Sequence, residues 1–196
     1  MNNPTHVPQK PTRKDAEEAV RTLIAFTGDT PSRSGLTDTP DRVVRAFAEH
    51  FKGYDEDPAQ LLKTTFDEIS GYNNIILLRD IPFYSHCEHH MAPFLGVAHI
   101  AYLPSHHVVG ISKLARVVET YAKRLQIQEK MTAQIAKAID THLKPLGVAV
   151  MLEAVHHCML GRGVNKTGAQ LVTTHYTGVF QTDPARQAEV RTLFFK

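Results

Sequence analysis

The sequence predicts an α+β fold with antiparallel hairpins, because the spacing of its apolar residues changes along the chain. Helical spacing of three and four residues comes first, and short β-prone runs bounded by Gly, Pro and Asn follow. Two more helical stretches and two longer alternating runs then complete the order β-β-α-α-β-β. No internal repeat interrupts that order. We therefore expect an antiparallel sheet with two helices between its hairpins.

Residues 1–13 are predicted to form a disordered N-terminal tail, since they carry three prolines and few apolar side chains. Residues 14–73 are predicted to form an N-terminal helical region. Its first helix is expected from Lys14 to about Thr27, where apolar residues recur every three or four positions. Its second helix is expected to start with Thr39 as the N-cap and to run to Gly53.

Residues 74–196 are predicted to form the α+β domain, because the apolar period changes from Asn74 onward. Its elements are expected to be, in chain order, strands Ile75 to Leu78 and Phe94 to Tyr102, helices Ser112 to Leu125 and Gln128 to Leu143, strands Val148 to Cys158 and Gln170 to Phe180, and a final helix Pro184 to Phe195.

Composition and charge limit the class of protein. A chain of 196 residues with 42% hydrophobic residues is expected to build one buried core. The formal charge is +2, from 22 Lys and Arg against 20 Asp and Glu, so no overall field favours nucleic acid or an acidic membrane as a partner. No apolar run of about 18 residues and no secretory signal is present. We expect a cytoplasmic protein in which any anion site is local.

The two cysteines and the paired histidines indicate a metal site. A reducing cytosol disfavours a disulfide between Cys87 and Cys158, which favours metal binding or catalysis. The segment Cys87-Glu88-His89-His90 places a thiolate and an imidazole three residues apart, so that one turn can direct both at one ion. Cys158 is the one other thiol that can complete such a site.

Zinc is the metal that this ligand set favours. Thiolate and imidazole are its preferred ligands, and three protein ligands leave a fourth position for a water whose pKa falls to about 7. His89 is the neighbour of His90, and His156 is predicted to share a strand face with Cys158, so both histidines can transfer protons beside that water.

Other interpretations of the same residues stay open. Both cysteines can be buried small hydrophobes, and His89 or His156 can close a structural zinc site as a fourth ligand. The same two histidines can also act only as hydrogen-bonding support for the ligands.

Several motifs together resemble type I GTP cyclohydrolase. They are SHCEHH, GISKLARVVE, LQIQEKMTAQIA, AVHHCM followed by GRGV, and DTPDRVVRAF, and the similarity runs from about Thr37 to the C-terminus. The resemblance implies the tunnelling fold for residues 74–196, as the catalytic domain. It further implies a homodecamer of two stacked pentamers, with β-β-α-α-β-β units closing a barrel and active sites at subunit interfaces.

The resemblance also implies the reaction and the residues for it. A water activated by Zn²⁺ attacks C8 of GTP, formate is lost, and rearrangement gives 7,8-dihydroneopterin triphosphate, the first step of folate and pterin biosynthesis. By position, the metal ligands are Cys87, His90 and Cys158, and the acid/base residues are His89 and His156. The substrate-binding positions are Glu129 at the guanine edge with its neighbour Gln128, Ser112, Lys113, Arg116 and Arg162 at the phosphates, and Arg42 and Arg45 reaching a neighbouring subunit's site.

Two departures from the family pattern stand out. His157 lies where an aromatic or aliphatic residue is expected, and the stretch Thr174-His175-Tyr176-Thr177 is more polar than expected. Two competing functions are a nitrile reductase of the queuosine pathway on the same fold, which uses a cysteine nucleophile and a nicotinamide cofactor, and a non-catalytic binding module stabilised by zinc.

Overall fold

The computed structural model describes residues 10–67 and 71–195. Most of the predicted tail, residues 1–9, lies outside the described residues, as do residues 68–70 and 196. The chain divides into two compact units, one ending at His50 and the other starting at Phe51. Among the described helices, none has the length and apolar character that a membrane crossing needs.

The first unit holds helices α1 (Arg13–Phe26) and α2 (Thr39–His50). The first helix begins one residue before the predicted start because Thr12 caps it. The Thr12 hydroxyl accepts a hydrogen bond from the Asp15 backbone N–H, and the Asp15 carboxylate accepts one from the Thr12 backbone N–H at 2.9 Å. This reciprocal pair satisfies two N–H groups that a helix start otherwise leaves free.

The second unit contains the sheet, and its elements confirm the predicted order β-β-α-α-β-β. Its strands are β1 (Thr65–Phe66), β2 (Ile76–Cys87), β3 (Pro93–Leu103), β4 (Val108–Val109), β5 (Leu125–Gln126), β6 (Gly147–His156) and β7 (Leu171–Tyr176). Its helices are α3 (Pro58–Leu62), α4 (Ile111–Ala122), α5 (Gln128–Leu143), α6 (His157–Leu160), α7 (Val179–Thr182) and α8 (Pro184–Phe194), after a 3₁₀ turn at Lys52–Asp55.

The main sheet has the strand order β5-β2-β3-β6-β7, and its pairs are antiparallel except for the short parallel pair of β2 and β5. One face carries the larger core, in which α4 and α5 bury side chains such as Leu114 and Ile135 against Phe94 and Ile100 of β3. The opposite face carries a smaller core beneath α7 and α8. The α+β class and the tunnelling fold are thereby confirmed.

The first strand of the sheet is much longer than the sequence predicted. It was expected to end at Leu78, but β2 continues to Cys87. The register shifts between Leu78 and Ile81, where Asp80 has a φ of 57°. The polar pair Arg79-Asp80 therefore forms a bulge inside the strand rather than a loop after it.

The predicted strand from Val148 to Cys158 is wrong at its end. Strand β6 stops at His156, and Cys158 lies in the one-turn helix α6. The expectation that His156 and Cys158 share a strand face therefore fails. The next strand also ends early, at Tyr176, because Gly178 turns the chain with a φ of 53°, and a Cβ there would lie 2.1 Å from the Leu146 carbonyl oxygen.

The predicted second helix ends at His50 instead of Gly53. Gly53 belongs to the 3₁₀ turn, and its backbone N–H donates to the Lys123 carbonyl at 3.1 Å. A Cβ at this position would lie 2.1 Å from the Thr120 carbonyl oxygen. The glycine thus permits close approach to the end of α4, which a helical continuation would prevent.

Candidate metal centre and its surroundings

One end of the main sheet brings together the chemically active side chains. In the register of the three central strands, Ser85 of β2 is opposite Phe94 of β3, and Phe94 is opposite His156 of β6. Residues paired in this way point to the same face of a sheet. Cys87 is the last residue of β2, two positions beyond Ser85, and therefore lies on that face as well.

A tight turn after β2 folds His90 back onto Cys87. The backbone N–H groups of His90 and Met91 both donate to the Cys87 carbonyl, at 3.3 and 2.8 Å, and Met91 has a φ of 52°. The Cys87 N–H donates to the Ala92 carbonyl at 2.8 Å and closes the turn. This geometry explains why the three-residue spacing of Cys87 and His90 suits one ion.

Cys87, His90 and Cys158 form a group able to hold a metal ion. Their ligand atoms all lie within 4.8 Å of one another, and Cys87 Sγ is 3.8 Å from His90 Nδ1. Zinc bonds of about 2.3 Å to sulfur and 2.0 Å to nitrogen place tetrahedral ligand atoms about 3.5 to 3.8 Å apart. The three residues therefore fit such an ion after a small contraction.

The two thiols lie close enough to influence each other's protonation. Burial raises the pKa of the Cys158 thiol, and the neighbouring Cys87 raises it further. The positive charge of Arg162 acts in the opposite direction on that pKa, so Arg162 lies near the group. Two neighbouring thiolates repel each other, and a divalent cation removes that cost.

His89 lies beside the candidate centre and is exposed. Its Nδ1 is 3.9 Å from Cys87 Sγ, and its ring is 6.2 Å from that of His90, edge to face. His157, the departure noted in the sequence, is exposed in α6. His89 is therefore the histidine whose position best suits either proton transfer at the open side or closure of the site.

His156 is held from two directions. Its ring stacks on Phe94 with centroids 4.4 Å apart and planes 4° from parallel, and its Nε2 is 2.9 Å from Gln128 Oε1. Burial lowers the pKa of His156, while the charge of Glu129 acts in the opposite direction. The neutral imidazole is therefore favoured at neutral pH.

Gln128 and Glu129 begin α5 but differ in environment. Gln128 is fully buried, and protein groups engage its side-chain amide. Glu129 is exposed in the first turn, where a carboxylate also favours the helix dipole. Of the two, Glu129 has the side chain open to a ligand.

The predicted phosphate contacts occupy two segments. Ser112, Lys113 and Arg116 lie in the first turns of α4, and Arg162 follows α6. Arg116 lines a cleft of about 270 Å³ with Glu56 and Glu119 among its neighbours. Within the residues that the structure describes, Arg116 and Arg162 have no ion-pair partner.

The two other predicted arginines belong to the first unit and do have partners. On α2, Arg45 pairs with Asp41 at 2.9 Å, and Arg42 lies 3.7 Å from Asp38. These exposed pairs are easily exchanged for a ligand, because surface ion pairs contribute little to stability.

The sequence did not predict Phe94 as a partner of His156, or Thr132 and Thr173 as partners of Gln128. Phe94 was assigned only to a strand, and Thr132 and Thr173 were not singled out. The positions of these residues depend on strand register and on the packing of α5, which no local motif shows. The cross-strand pair of Phe94 and His156 follows only once β3 and β6 are aligned.

The fold and the site together define a class. The chain is a tunnelling-fold protein in which a Cys-His-Cys group at one end of the sheet is able to bind a transition metal. A half-buried histidine, His156, and an exposed one, His89, flank that group, and Arg162 lies near Cys158.

Comparison with known proteins gives the family. The profile described as GTP cyclohydrolase I matches residues 16–194. GTP cyclohydrolase 1 of Sinorhizobium fredii is 57% identical over 184 residues, which cover 94% of this chain and 90% of that protein. The protein of the same name from Hyphomonas neptunium is 58% identical over 175 residues, which cover 89% and 85%. The chain belongs to the GTP cyclohydrolase I family and is an enzyme.

A solved structure gives a more distant likeness. The crystal structure of the archaeosine synthase QueF-Like in the apo form shares 15% identity at a TM-score of 0.46, over 55% of this chain and 96% of that one. That likeness is too low to bear on activity. Family membership replaces the nitrile reductase and the non-catalytic module as interpretations of the sequence.

Proposed function

We propose that this enzyme hydrolyses GTP at C8, releases formate and forms 7,8-dihydroneopterin triphosphate, as the first step of folate and pterin biosynthesis in the cytoplasm. The observation that carries the proposal is the convergence of Cys87, His90 and Cys158 from two distant segments, with ligand atoms within 4.8 Å. We assign Zn²⁺ to these ligands, and when bound it supplies a Lewis acid that activates water near neutral pH.

His156 and His89 are the proposed proton-transfer groups. His156 lies on the same sheet face as Cys87, and its lowered pKa keeps the ring neutral and able to accept a proton. His89 lies at the exposed side of the centre, where a proton can pass to and from solvent. The two rings differ in burial, which suits a different role for each in a reaction of several steps.

Glu129 is the proposed guanine contact. Its exposed carboxylate accepts hydrogen bonds, and the N1–H and 2-amino group of guanine are both donors. Gln128, one residue earlier in α5, is assigned to the same substrate-binding wall.

Ser112, Lys113, Arg116 and Arg162 are the proposed phosphate contacts. The guanidinium groups of Arg116 and Arg162 have no ion-pair partner among the described residues, and they match the charge and planar geometry that a triphosphate needs. Lys113 adds a second cation at the start of α4, where backbone N–H groups also favour anions.

The complete site is proposed to need a neighbouring subunit in a homodecamer of two pentamers. Strand β7 is an edge of the main sheet and leaves Leu171 and Val172 38% and 45% exposed, which favours strand pairing between subunits. Arg42 and Arg45 are assigned to a neighbouring subunit's site. Residues 14–73 are proposed as the helical region and 74–196 as the catalytic domain.

Incubation of the zinc-loaded enzyme with GTP tests the proposal. We expect release of one formate per GTP and a pterin that fluoresces after oxidation. Glu129→Gln is expected to raise KM for GTP by about tenfold or more, because one acceptor becomes a donor that faces the guanine donors. An intact imidazole ring after prolonged incubation with zinc-loaded enzyme would refute the proposed activity.

A further inference from the structure

A closed set of hydrogen bonds surrounds the side chain of Gln128. Its Nε2 lies 3.1 Å from the Leu152 carbonyl oxygen, 2.9 Å from that of Leu171 and 3.1 Å from Thr173 Oγ1. Thr173 Oγ1 is 2.7 Å from Thr132 Oγ1, and the Thr132 hydroxyl donates to the Gln128 carbonyl at 2.7 Å. The set therefore begins and ends on Gln128.

The direction of each bond follows from donor and acceptor chemistry. The one hydroxyl proton of Thr132 goes to the Gln128 carbonyl, so the Thr173 hydroxyl donates to Thr132 Oγ1. Thr173 Oγ1 then presents lone pairs to the Gln128 amide. The Leu152 and Leu171 carbonyls also only accept, so the atom that faces all of these groups must be the amide nitrogen. A flipped amide would place oxygen against two carbonyl oxygens.

The orientation of the amide fixes the proton on His156. Gln128 Oε1 can only accept, and it lies 2.9 Å from His156 Nε2, so Nε2 carries the hydrogen of the neutral ring. Stacking on Phe94 fixes the plane of the same ring. The other ring nitrogen, Nδ1, is then the atom with a free lone pair.

We propose that Gln128 is a positioning residue that holds neutral His156 as the Nε2–H tautomer, with Thr173 and Thr132 fixing the amide. Nδ1 of His156 is therefore the ring nitrogen left with a lone pair for a hydrogen-bond donor, and its use in turnover rests on the proposed function. Gln128 contributes to the substrate-binding wall through His156 and not by a side-chain bond to the substrate. Its burial agrees with this, since 0% of the residue is exposed.

The tautomer in the native enzyme is the first test. Magic-angle-spinning NMR of zinc-loaded enzyme labelled with ¹⁵N-histidine, at about pH 8 where an ordinary histidine is neutral, separates protonated from unprotonated ring nitrogens. His156 is assigned by difference from the variant His156→Asn. We expect a protonated Nε2 and an unprotonated Nδ1. The opposite tautomer in the native enzyme overturns the proposal.

The second test removes the amide. Gln128→Met is expected to mix the two tautomers and to lower kcat for formate release by about 10- to 100-fold, the usual effect of losing a hydrogen-bonding partner of a functional histidine. KM for GTP and zinc content are expected to stay near native values. Gln134→Met is the matched control on α5, because Gln134 accepts from Gln126 and not from His156.

The third test perturbs the Gln128 amide by replacing its neighbour Thr173. It can be used even if Gln128→Met folds poorly. Thr173→Val is expected to lower kcat by a few-fold with the Nε2–H signal weakened, and Thr173→Ser is expected to restore both. An unchanged tautomer in these variants, or a loss of zinc and KM in parallel with kcat, means that the network is only structural and the proposal fails. Absence of formate release by native enzyme refutes the proposed activity. The tautomer of His156 in that enzyme still tests separately whether Gln128 positions the ring.

Discussion

Two histidines on neighbouring strands of the sheet, the half-buried His156 and the buried His99, differ in the groups that surround their rings. His156 lies at the end of β6, with a hydrogen bond of 2.9 Å to Gln128 and a stacked phenylalanine. His99 lies inside β3 on the opposite face and is 4% exposed. Its Nε2 is 3.6 Å from the Glu153 carboxylate without a hydrogen-bond partner among the described residues.

The difference lies in what fixes each ring. A neutral amide oxygen determines the proton position on His156. His99 instead accepts a hydrogen bond from the Asp80 backbone N–H at Nδ1 and lies between two carboxylates, with Asp80 4.0 Å from Nδ1 and Glu153 near Nε2. Burial lowers the pKa of both rings. Under the proposed function His156 transfers protons, whereas His99 packs against Phe194 of α8, and substitutions should separate these roles.

Removal of a metal ligand is expected to have the largest effect. Cys158→Ala should lose bound zinc and all measurable release of formate, because two protein ligands hold the ion too weakly. Metal analysis of the purified protein, together with the formate assay, measures both. Retention of one zinc per chain in this variant would show that Cys158 is not a ligand.

Removal of the proton-transfer ring comes next. His156→Ala should keep zinc but lower kcat by about 10²- to 10⁴-fold, the usual contribution of a general acid or base. His99→Gln is the matched control and should keep kcat within about twofold, since it lies on the other face of the sheet. Loss of zinc from His156→Ala would instead make His156 a fourth ligand.

A methyl group inserted between β3 and β6, the strands that carry His99 and His156, is expected to lower the stability of the fold. A Cβ on Gly96 would lie 2.0 Å from the Glu153 carbonyl oxygen and 2.7 Å from Ala154 Cβ, so β3 and β6 must separate. Gly96→Ala should lower the free energy of unfolding by about 1 to 3 kcal/mol. Urea denaturation measures this, and an unchanged midpoint would contradict the close approach.

The smallest effect concerns the charge of His99. Its folded pKa is lowered by burial, against the attraction of Asp80 and Glu153 and with the help of Arg79. As pH falls below 6.5, the ordinary histidine pKa, the unfolded chain binds the proton first. Stability should therefore be full above about pH 6.5 and decline as pH falls toward the folded pKa.

Unfolding measurements as a function of pH test this sign. The variant His99→Gln should lack this part of the acid-induced decline in stability. Plots of the free energy of unfolding against pH should therefore run parallel for native enzyme and variant above about pH 6.5 and diverge below it. A native enzyme that gains stability on acidification relative to the variant would mean that the carboxylates outweigh burial at His99.

The order of helices and strands could be predicted from the sequence, because the spacing of apolar residues along the chain shows directly which side chains are buried. Helix α5 has the predicted bounds, Gln128–Leu143. The errors lie where the chain departs from regular geometry. The bulge at Asp80 resembled a break in the strand, and the one-turn helix at Cys158 resembled continued strand alternation.

The candidate site likewise has one part that the sequence predicted and another part that it did not. The motif around Cys87 and the one remaining thiol at Cys158 sufficed to predict a metal-binding group, since few residue types bind zinc. The hydrogen bonds of Gln128 with Thr132 and Thr173 could not be predicted, because they join α5 to the distant strand β7. Such contacts depend on the packed structure, and local sequence carries no sign of them.

X-ray absorption at the zinc edge of the loaded enzyme tests the central claim most directly. We expect two sulfur ligands at about 2.3 Å, one imidazole and one further light-atom ligand at about 2.0 Å, with the imidazole count unchanged in His89→Ala. Two imidazoles in the native enzyme, reduced to one in His89→Ala, would show a closed structural site and contradict the account.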